Sequence, residues 1–426
     1  MTVSRLPIST CARRRFTADP RRSRRTSSRR SWISRQGQTV DFNLTQEQEG
    51  VREALVRYVR RHYGFEHRRA LERERAYCPE AWRFLAEMGI LGVALPEEAG
   101  GLGGSSRDVM VVMEEIGDGL MLEPYLGAVV LAGNLLACSD SGSHRHLLGE
   151  LMSGGATMAL AHFEPDSRYD AERFATRATH TGKGWTLTGD KSFIVGGGYA
   201  DWLLVSARIE EPAAGLDREQ LFLVASGAPG VTRYSRQAHD GTNFAEVRLD
   251  RAMVPDEARL RLKAPALAAI HKVLDQGTAA LCGEAIGCMR ALLRQTMEHL
   301  RTRHQFGARL GAQQALRHRV AEMAIELEKA RSMALLAARY ADSDHACVRI
   351  RAVSGAKAVI GEAARFVGQQ AVQLHGGMGL TEELNIGHYF KRLTVIEATL
   401  GDTDYHLSRV AAGLRDEIKA ASPPPP

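Results

Sequence analysis

Trp185-Thr186-Leu187-Thr188 follows a Gly182-Lys183-Gly184 turn and alternates apolar with polar side chains. A period of two marks a strand with one face buried. Trp202-Leu203-Leu204-Val205 and Leu221-Phe222-Leu223-Val224 are short apolar runs between turn residues, and Glu246-Val247-Arg248-Leu249 alternates again. Short strands at this spacing predict a middle antiparallel β domain, a barrel or sandwich, over residues 156–265.

Outward from that segment the period changes on both sides. Leu316, Val320, Met323, Leu327, Ala330 and Ala334 step by four and three residues in turn, which is the seam of a helix bundle. Similar stripes run through 267–300 and 346–374, so residues 266–420 are expected to form a C-terminal four-helix bundle. Upstream, Thr45 and Gln48 have the spacing of a capping box, and Val51, Leu55 and Val59 then share one helical face. Further helical text covers 79–92, 107–118 and 123–152, giving an N-terminal helical domain over 41–155. The fold class is therefore α+β, with a flanking segment at 1–40 and a proline tail at 421–426 that can be neither helix nor strand.

The formal net charge of +6 is uneven. Residues 1–36 carry 11 arginines and one acid, Asp19, so the remainder holds 45 basic against 49 acidic groups, a net of −4. A nucleic-acid surface needs basic charge on the folded part, which argues against that partner. The Arg- and Ser-rich start cannot bury apolar surface. It reads as a disordered or spurious extension, as a mitochondrial transit peptide, or, least of all, as a nucleic-acid arm. No window of 18 uninterrupted apolar residues occurs, so no membrane-spanning helix is expected. Six scattered cysteines (Cys11, Cys78, Cys138, Cys282, Cys288, Cys347) form no C-x-x-C pair, which excludes a zinc ribbon and a thioredoxin site. Their usage suits a reducing compartment: the cytoplasm, or the mitochondrial matrix if residues 1–36 are a transit peptide.

Few local motifs carry chemistry. Gly100-Gly101-Leu102-Gly103-Gly104-Ser105-Ser106 has serine where a dinucleotide fingerprint needs its third glycine. Arg303-His304-Gln305-Phe306-Gly307 reads as a helix exit, with a cation near the negative end of the dipole and a glycine stop. Gln373-Leu374-His375-Gly376-Gly377-Met378-Gly379 reads as a second exit with a tight turn. No second ligand stands at metal spacing from His375, and no metal site is expected.

In order and spacing, however, these pieces resemble the acyl-CoA dehydrogenase family. Asp41-Phe42-Asn43-Leu44-Thr45 is similar to its opening. Leu95-Pro96-Glu97 to Gly104 and Glu114-Glu115-Ile116-Gly117 resemble its first domain, and Glu164-Pro165 with Trp185 to Lys191 its β domain. Arg303 to Gly307, Gln314 and Gln373 to Gly379 resemble its flavin-binding parts. His388-Tyr389-Phe390-Lys391-Arg392-Leu393, Gly401-Asp402 and Glu164 to Asp170 resemble the small subunits of two-subunit members such as pimeloyl-CoA dehydrogenase. The resemblance implies an acyl-CoA dehydrogenase-like fold, FAD at a subunit interface and α,β-desaturation of an acyl-CoA thioester. A carboxylate takes the α-proton, hydrogen bonds steady the thioester oxygen, and the flavin takes the hydride. It also implies an electron-transferring flavoprotein as acceptor. Carried over by position, Arg303, Phe306, Gln314, Gln373 and Gly377 would hold the FAD of a neighbouring subunit, and Ile194 and Val195 would border the flavin.

The same resemblance exposes departures. The usual glutamate position of the base falls on Leu400, followed by Gly401, and the alternative position falls on Gly277. The Leu400 N–H could still donate to a thioester oxygen, but neither side chain accepts a proton. Phe163, Tyr169, Val195 and Asp402 stand where the family has threonine, serine, threonine and threonine, and Phe193 takes the aromatic position beside Ile194. Glu284, Asp402 and Glu397 are the nearby carboxylates. The reading that follows is a base-deficient subunit of a heteromeric enzyme. The rivals are a self-associating dehydrogenase with an unusual base, Asp402 or Glu284, and a non-catalytic acyl-CoA-binding homologue.

Overall fold

A computed structural model describes residues 43–421 apart from 141, 211, 213–215 and 306, with backbone only at 143 and 416–421. The expectations for residues 1–40, for Phe306 and for the prolines after 421 lie outside the described residues. From Leu44 onward the described residues belong to one contact unit.

The chain enters helix at α1 (Gln46–His62) through the capping box read in the sequence. Gln48 N–H donates to Thr45 Oγ1 at 3.2 Å, and Thr45 N–H donates to Gln48 Oε1 at 3.1 Å. Helices α2 (Phe65–Glu74) and α3 (Pro79–Glu87) follow, and Ser105 with Asp108 caps α4 (Ser106–Gly119) in the same reciprocal way. The stretch 123–152, expected as one helical region, is divided. A π-helical segment (Leu126–Gly133) runs into α5 (Asn134–Ala137), and α6 (Arg145–Met152) starts anew. Between them Ser139 bridges to Leu262, and that pairing takes the backbone out of helix.

The β domain is a seven-stranded sheet: β1 (Met158–Ala161), β2 (Arg177–His180), β3 (Trp185–Val195), β4 (Trp202–Ile209), β5 (Glu219–Ala225), β6 (Val231–Gln237) and β7 (Asn243–Val254). Its order is β1-β4-β2-β3-β7-β6, with β5 also on β4. Most pairs are antiparallel, as expected, but β1 and β2 each run parallel to β4. Local alternation cannot register that difference, because strand direction depends on long connections. Bulges in β3 fall between Leu187 and Gly189 and between Lys191 and Ile194. The second one turns Phe193 outward at φ 54°, an uncommon conformation for a bulky residue.

The bundle consists of α7 (Ala266–Thr302), α8 (Gln314–Tyr340), α9 (Ala346–His375), α10 (Asn385–Ala398) and α11 (Thr403–Ala421), with a short hairpin, β8 (His304–Gln305) and β9 (Ala308–Arg309), after α7. Met323, Leu327, Ala330 and Ala334 of the predicted seam are buried, and Leu316 and Val320 pack at its edge. Glycines let α4 lie directly on α7. A Cβ on Gly287 would sit 1.9 Å from the Glu114 carbonyl oxygen, and one on Gly117 2.1 Å from that of Glu284. Only hydrogen fits at either place, and this contact fixes the N-terminal domain against the bundle. Among the described residues, no helix is long and apolar enough to cross a membrane.

Candidate active site

The turn after α10 carries Leu400, and its backbone is unusual. Leu400 has φ 58° and Gly401 φ 117°. A leucine in the left-handed region persists only where its surroundings hold it there. Lys357, on the buried face of α9, does so. Its ammonium lies within hydrogen-bond distance of four carbonyls that share its three protons: Ile396 (2.8 Å), Glu397 (2.9 Å), Thr399 (3.1 Å) and Gly401 (2.8 Å). Burial pushes Lys357 down to about 8. From the other side His406 Nε2 lies 3.2 Å from the Leu400 carbonyl oxygen, and its Nδ1 3.0 Å from Ser354 Oγ. Burial, then the charges of Lys357 and Arg409, push His406 down to about 2. The ring is therefore neutral, with Nε2–H donating to Leu400 and Nδ1 accepting from Ser354.

Opposite this turn lies Gly277, on α7. A Cβ there would meet Leu131 Cδ2 at 2.5 Å and Leu400 Cδ1 at 3.0 Å. The two positions at which the resemblance places a base thus face each other across one spot, and leucine side chains fill it. Outside it opens a cavity of about 180 Å³ lined by Phe163, Pro165, Arg168, Tyr169, Phe193 and Leu400, among others. Every side chain singled out as a departure, apart from Gly277 and Asp402, is in its wall. Behind it a smaller void of about 50 Å³ shares Val195 and Thr399 as walls.

The stand-in carboxylates are occupied. Glu284 makes a two-pronged pair with Arg392, Nε to Oε1 at 2.6 Å and Nη2 to Oε2 at 2.7 Å, and Arg392 Nη1 donates to Asp240 Oδ2 at 2.9 Å. Glu284 is a structural anion, and the expectation that it could serve as base gives way to this geometry. Asp402 Oδ1 accepts from Tyr405 N–H at 2.8 Å, which caps the start of α11. Glu397 accepts from Thr403 N–H at 3.1 Å and pairs with Arg365 at 3.5 Å. Glu164, next to Pro165, receives Lys191 Nζ at 2.9 Å and Thr176 N–H at 2.9 Å. Burial alone would raise its proton affinity, but Lys191 and these donors outweigh it and lower it.

The carried-over cofactor residues divide into two groups. Arg303, Gln314, Gln373 and Gly377 are all exposed at the ends of bundle helices. His299 near the end of α7 and His375 at the end of α9 stack at 4.4 Å and bring the two exits together. Cβ atoms on Gly376 or Gly377 would meet nothing within 4 Å, so the turn lies open to an approaching ligand. One arginine, two amides and an open glycine turn fit the polar half of FAD presented from outside the chain. In the second group, Val195 faces the cleft, whereas the Ile194 side chain is packed in the sheet core. There the aromatic residues Phe163, Tyr169 and Phe193 line a cavity of about 180 Å³, below the roughly 300 Å³ usual for a ligand pocket.

Lys357, His406 and Leu131 were not singled out in the sequence, and Arg392 was read only as part of the stretch from His388 to Leu393. A signal existed for one of them: Lys357 interrupts the buried stripe of Val353, Ile360 and Ala364, and a buried lysine needs a reason.

Comparison with known proteins agrees with this architecture. Three family models match in order: "Acyl-CoA dehydrogenase, N-terminal domain" over residues 45–154, "middle domain" over 159–252 and "C-terminal domain" over 267–415. The acyl-CoA dehydrogenase FadE12 of Mycobacterium tuberculosis is 32% identical over 354 residues, covering 82% of this chain and 90% of its own. The probable acyl-CoA dehydrogenase YngJ of Bacillus subtilis is 27% identical, covering 86% of this chain and 97% of its own. Among solved structures, a chain of the ChsE4–ChsE5 complex from Mycobacterium tuberculosis superposes with a TM-score of 0.79 at 27% identity, over 90% of this chain and 100% of that one. With three domain models in register and a relative at this identity, the chain belongs to the acyl-CoA dehydrogenase family.

Proposed function

We propose that this chain is the base-deficient subunit of a heteromeric, FAD-dependent enzyme that desaturates an acyl-CoA thioester between its α and β carbons. Members of the family are FAD-dependent oxidoreductases. One observation carries the reading: the two base positions, Gly277 and Leu400, meet in an apolar contact with Leu131. A similar chain crystallised as part of the two-protein ChsE4–ChsE5 complex, which supports a heteromer here.

The chemistry divides accordingly. FAD, when bound, accepts the hydride that leaves the β-carbon. The α-proton is not acidic in water and needs a carboxylate within hydrogen-bond reach, which the partner subunit supplies. This chain contributes Arg303, Gln314, Gln373 and Gly377 to the partner's cofactor site. The guanidinium of Arg303 would suit the pyrophosphate, and the open glycine turn would let the backbone approach. Reducing equivalents pass on to an electron-transferring flavoprotein.

The test is purification of the chain alone and together with a co-expressed acyl-CoA dehydrogenase-like chain that does carry the glutamate. Bound flavin and its bleaching by acyl-CoA are expected only for the pair. A chain that by itself holds a full complement of FAD and is reduced by an acyl-CoA sinks the proposal. Colourless preparations in both cases favour the non-catalytic reading instead.

A further inference from the structure

We infer that the cleft between β3 and the Leu400 turn is shut to the acyl tail of a thioester, so this chain seats no reacting carbon of its own. The inference rests on the preceding reading only in taking this cleft as the counterpart of the family's acyl site. The closure itself follows from packing.

Carbon atoms not bonded to each other settle at about 3.5–4.0 Å. Beside Gly277 even one added carbon would be 2.5 Å from Leu131 and 3.0 Å from Leu400. A methylene chain needs that clearance on every side, so it cannot thread between these three groups. The outer cavity has Leu400 in its wall and adjoins the inner void at Val195 and Thr399, and neither space reaches Leu131 or Gly277. The way inward ends in that void of about 50 Å³, too small for a methylene chain of several carbons.

Leu131 is not free to swing aside: it is 3% exposed, embedded in the π-helical segment within the main core, and moving it means repacking that core. The Leu400 backbone is pinned through its own carbonyl by His406 and through those of Thr399 and Gly401 by Lys357, which fixes where its side chain starts. The phenyl rings of Phe163 and Phe193 and the phenol of Tyr169 then narrow the mouth. A cleft that cannot abstract a proton thereby also avoids holding substrate unproductively, and a pair of subunits takes up one acyl tail.

Calorimetric titration of the full chain with octanoyl-CoA and, separately, with free CoA tests this. In the wild-type chain the tail adds nothing, and the two ligands bind within about threefold of each other. In Leu131→Ala/Leu400→Ala the tail gains a channel, and octanoyl-CoA binds at least about tenfold tighter than CoA, since each buried methylene favours the complex. A wild-type preference for octanoyl-CoA of about tenfold or more overturns the inference, and so does a double variant that gains no preference.

Thermal unfolding supplies a ligand-free measure that also decides the matter if neither ligand binds. Gly277→Ala is expected to lower Tm by roughly 3 °C or more in the wild-type background and to cost clearly less in Leu131→Ala, where only the Leu400 contact remains. Equal losses in both backgrounds overturn the packing argument. The two proposals fail differently: tail binding without flavin bleaching defeats only the closure, whereas bleaching of the isolated chain defeats the division of labour.

Discussion

Arg392→Met is the substitution that most directly tests why Glu284 is no base. Arg392 donates three short hydrogen bonds to two carboxylates whose side chains are 4% exposed (Glu284) and fully buried (Asp240). Burial alone would lower the proton affinity of the guanidinium, but Glu284 and Asp240 outweigh it and raise it. Methionine keeps the length of the apolar stem, so little packing is lost. What disappears is the counter-charge. Asp240 retains the Thr242 N–H at 3.0 Å and the Thr242 hydroxyl at 2.6 Å, whereas both oxygens of Glu284 depend on Arg392. Removing one partner of a buried pair typically costs about 3–5 kcal/mol, against a total stability of about 5–15 kcal/mol.

Urea unfolding at pH 7 measures the effect. Arg392→Met/Glu284→Gln is expected to recover much of the deficit, because the amide leaves no buried charge without its partner. A loss below about 1 kcal/mol, or a double variant as unstable as the single one, refutes the reasoning. The same magnitude bears on catalysis. To accept a substrate proton Glu284 must first leave Arg392, and about 3 kcal/mol makes the free carboxylate more than a hundredfold rarer.

Three further outcomes are expected. Burial, then Lys191, pushes His162 down to about 3, and its Nδ1 lies 2.9 Å from Ser206 Oγ. The unfolded imidazole takes a proton below about 6.5 and the folded one does not, so stability falls by about 3 kcal/mol between pH 6.5 and pH 4; His162→Asn should flatten that part of the acid-unfolding curve. Lys357→Met leaves the carbonyls of Glu397, Thr399 and Gly401 without their donor but relieves a buried ammonium, for a net loss of about 2 kcal/mol. Hydrogen exchange should quicken first in the Leu400 turn. Arg303→Ala, at an exposed site, should leave unfolding within about 0.5 kcal/mol of wild type while weakening flavin retention in the co-expressed pair.

Much of the architecture is legible in the chain because its signals are local. The Thr45–Gln48 cap, the alternation from Trp185 to Thr188 and the stepping from Met323 to Ala334 each involve neighbours within a few residues, and secondary structure follows from such periods. The loss of acid side chains at Leu400 and Gly277 is equally a matter of reading residue types against a family pattern. Tertiary structure alone decided that these two positions lie side by side, with Leu131 also packed against Gly277, and that Glu284 is captured by a guanidinium 108 residues away. It also decided that Lys357 holds four carbonyls of the Leu400 turn. Such contacts join segments far apart in sequence. They leave no period along the chain, and they come into being only when glycines such as Gly117 and Gly287 let whole helices close on one another.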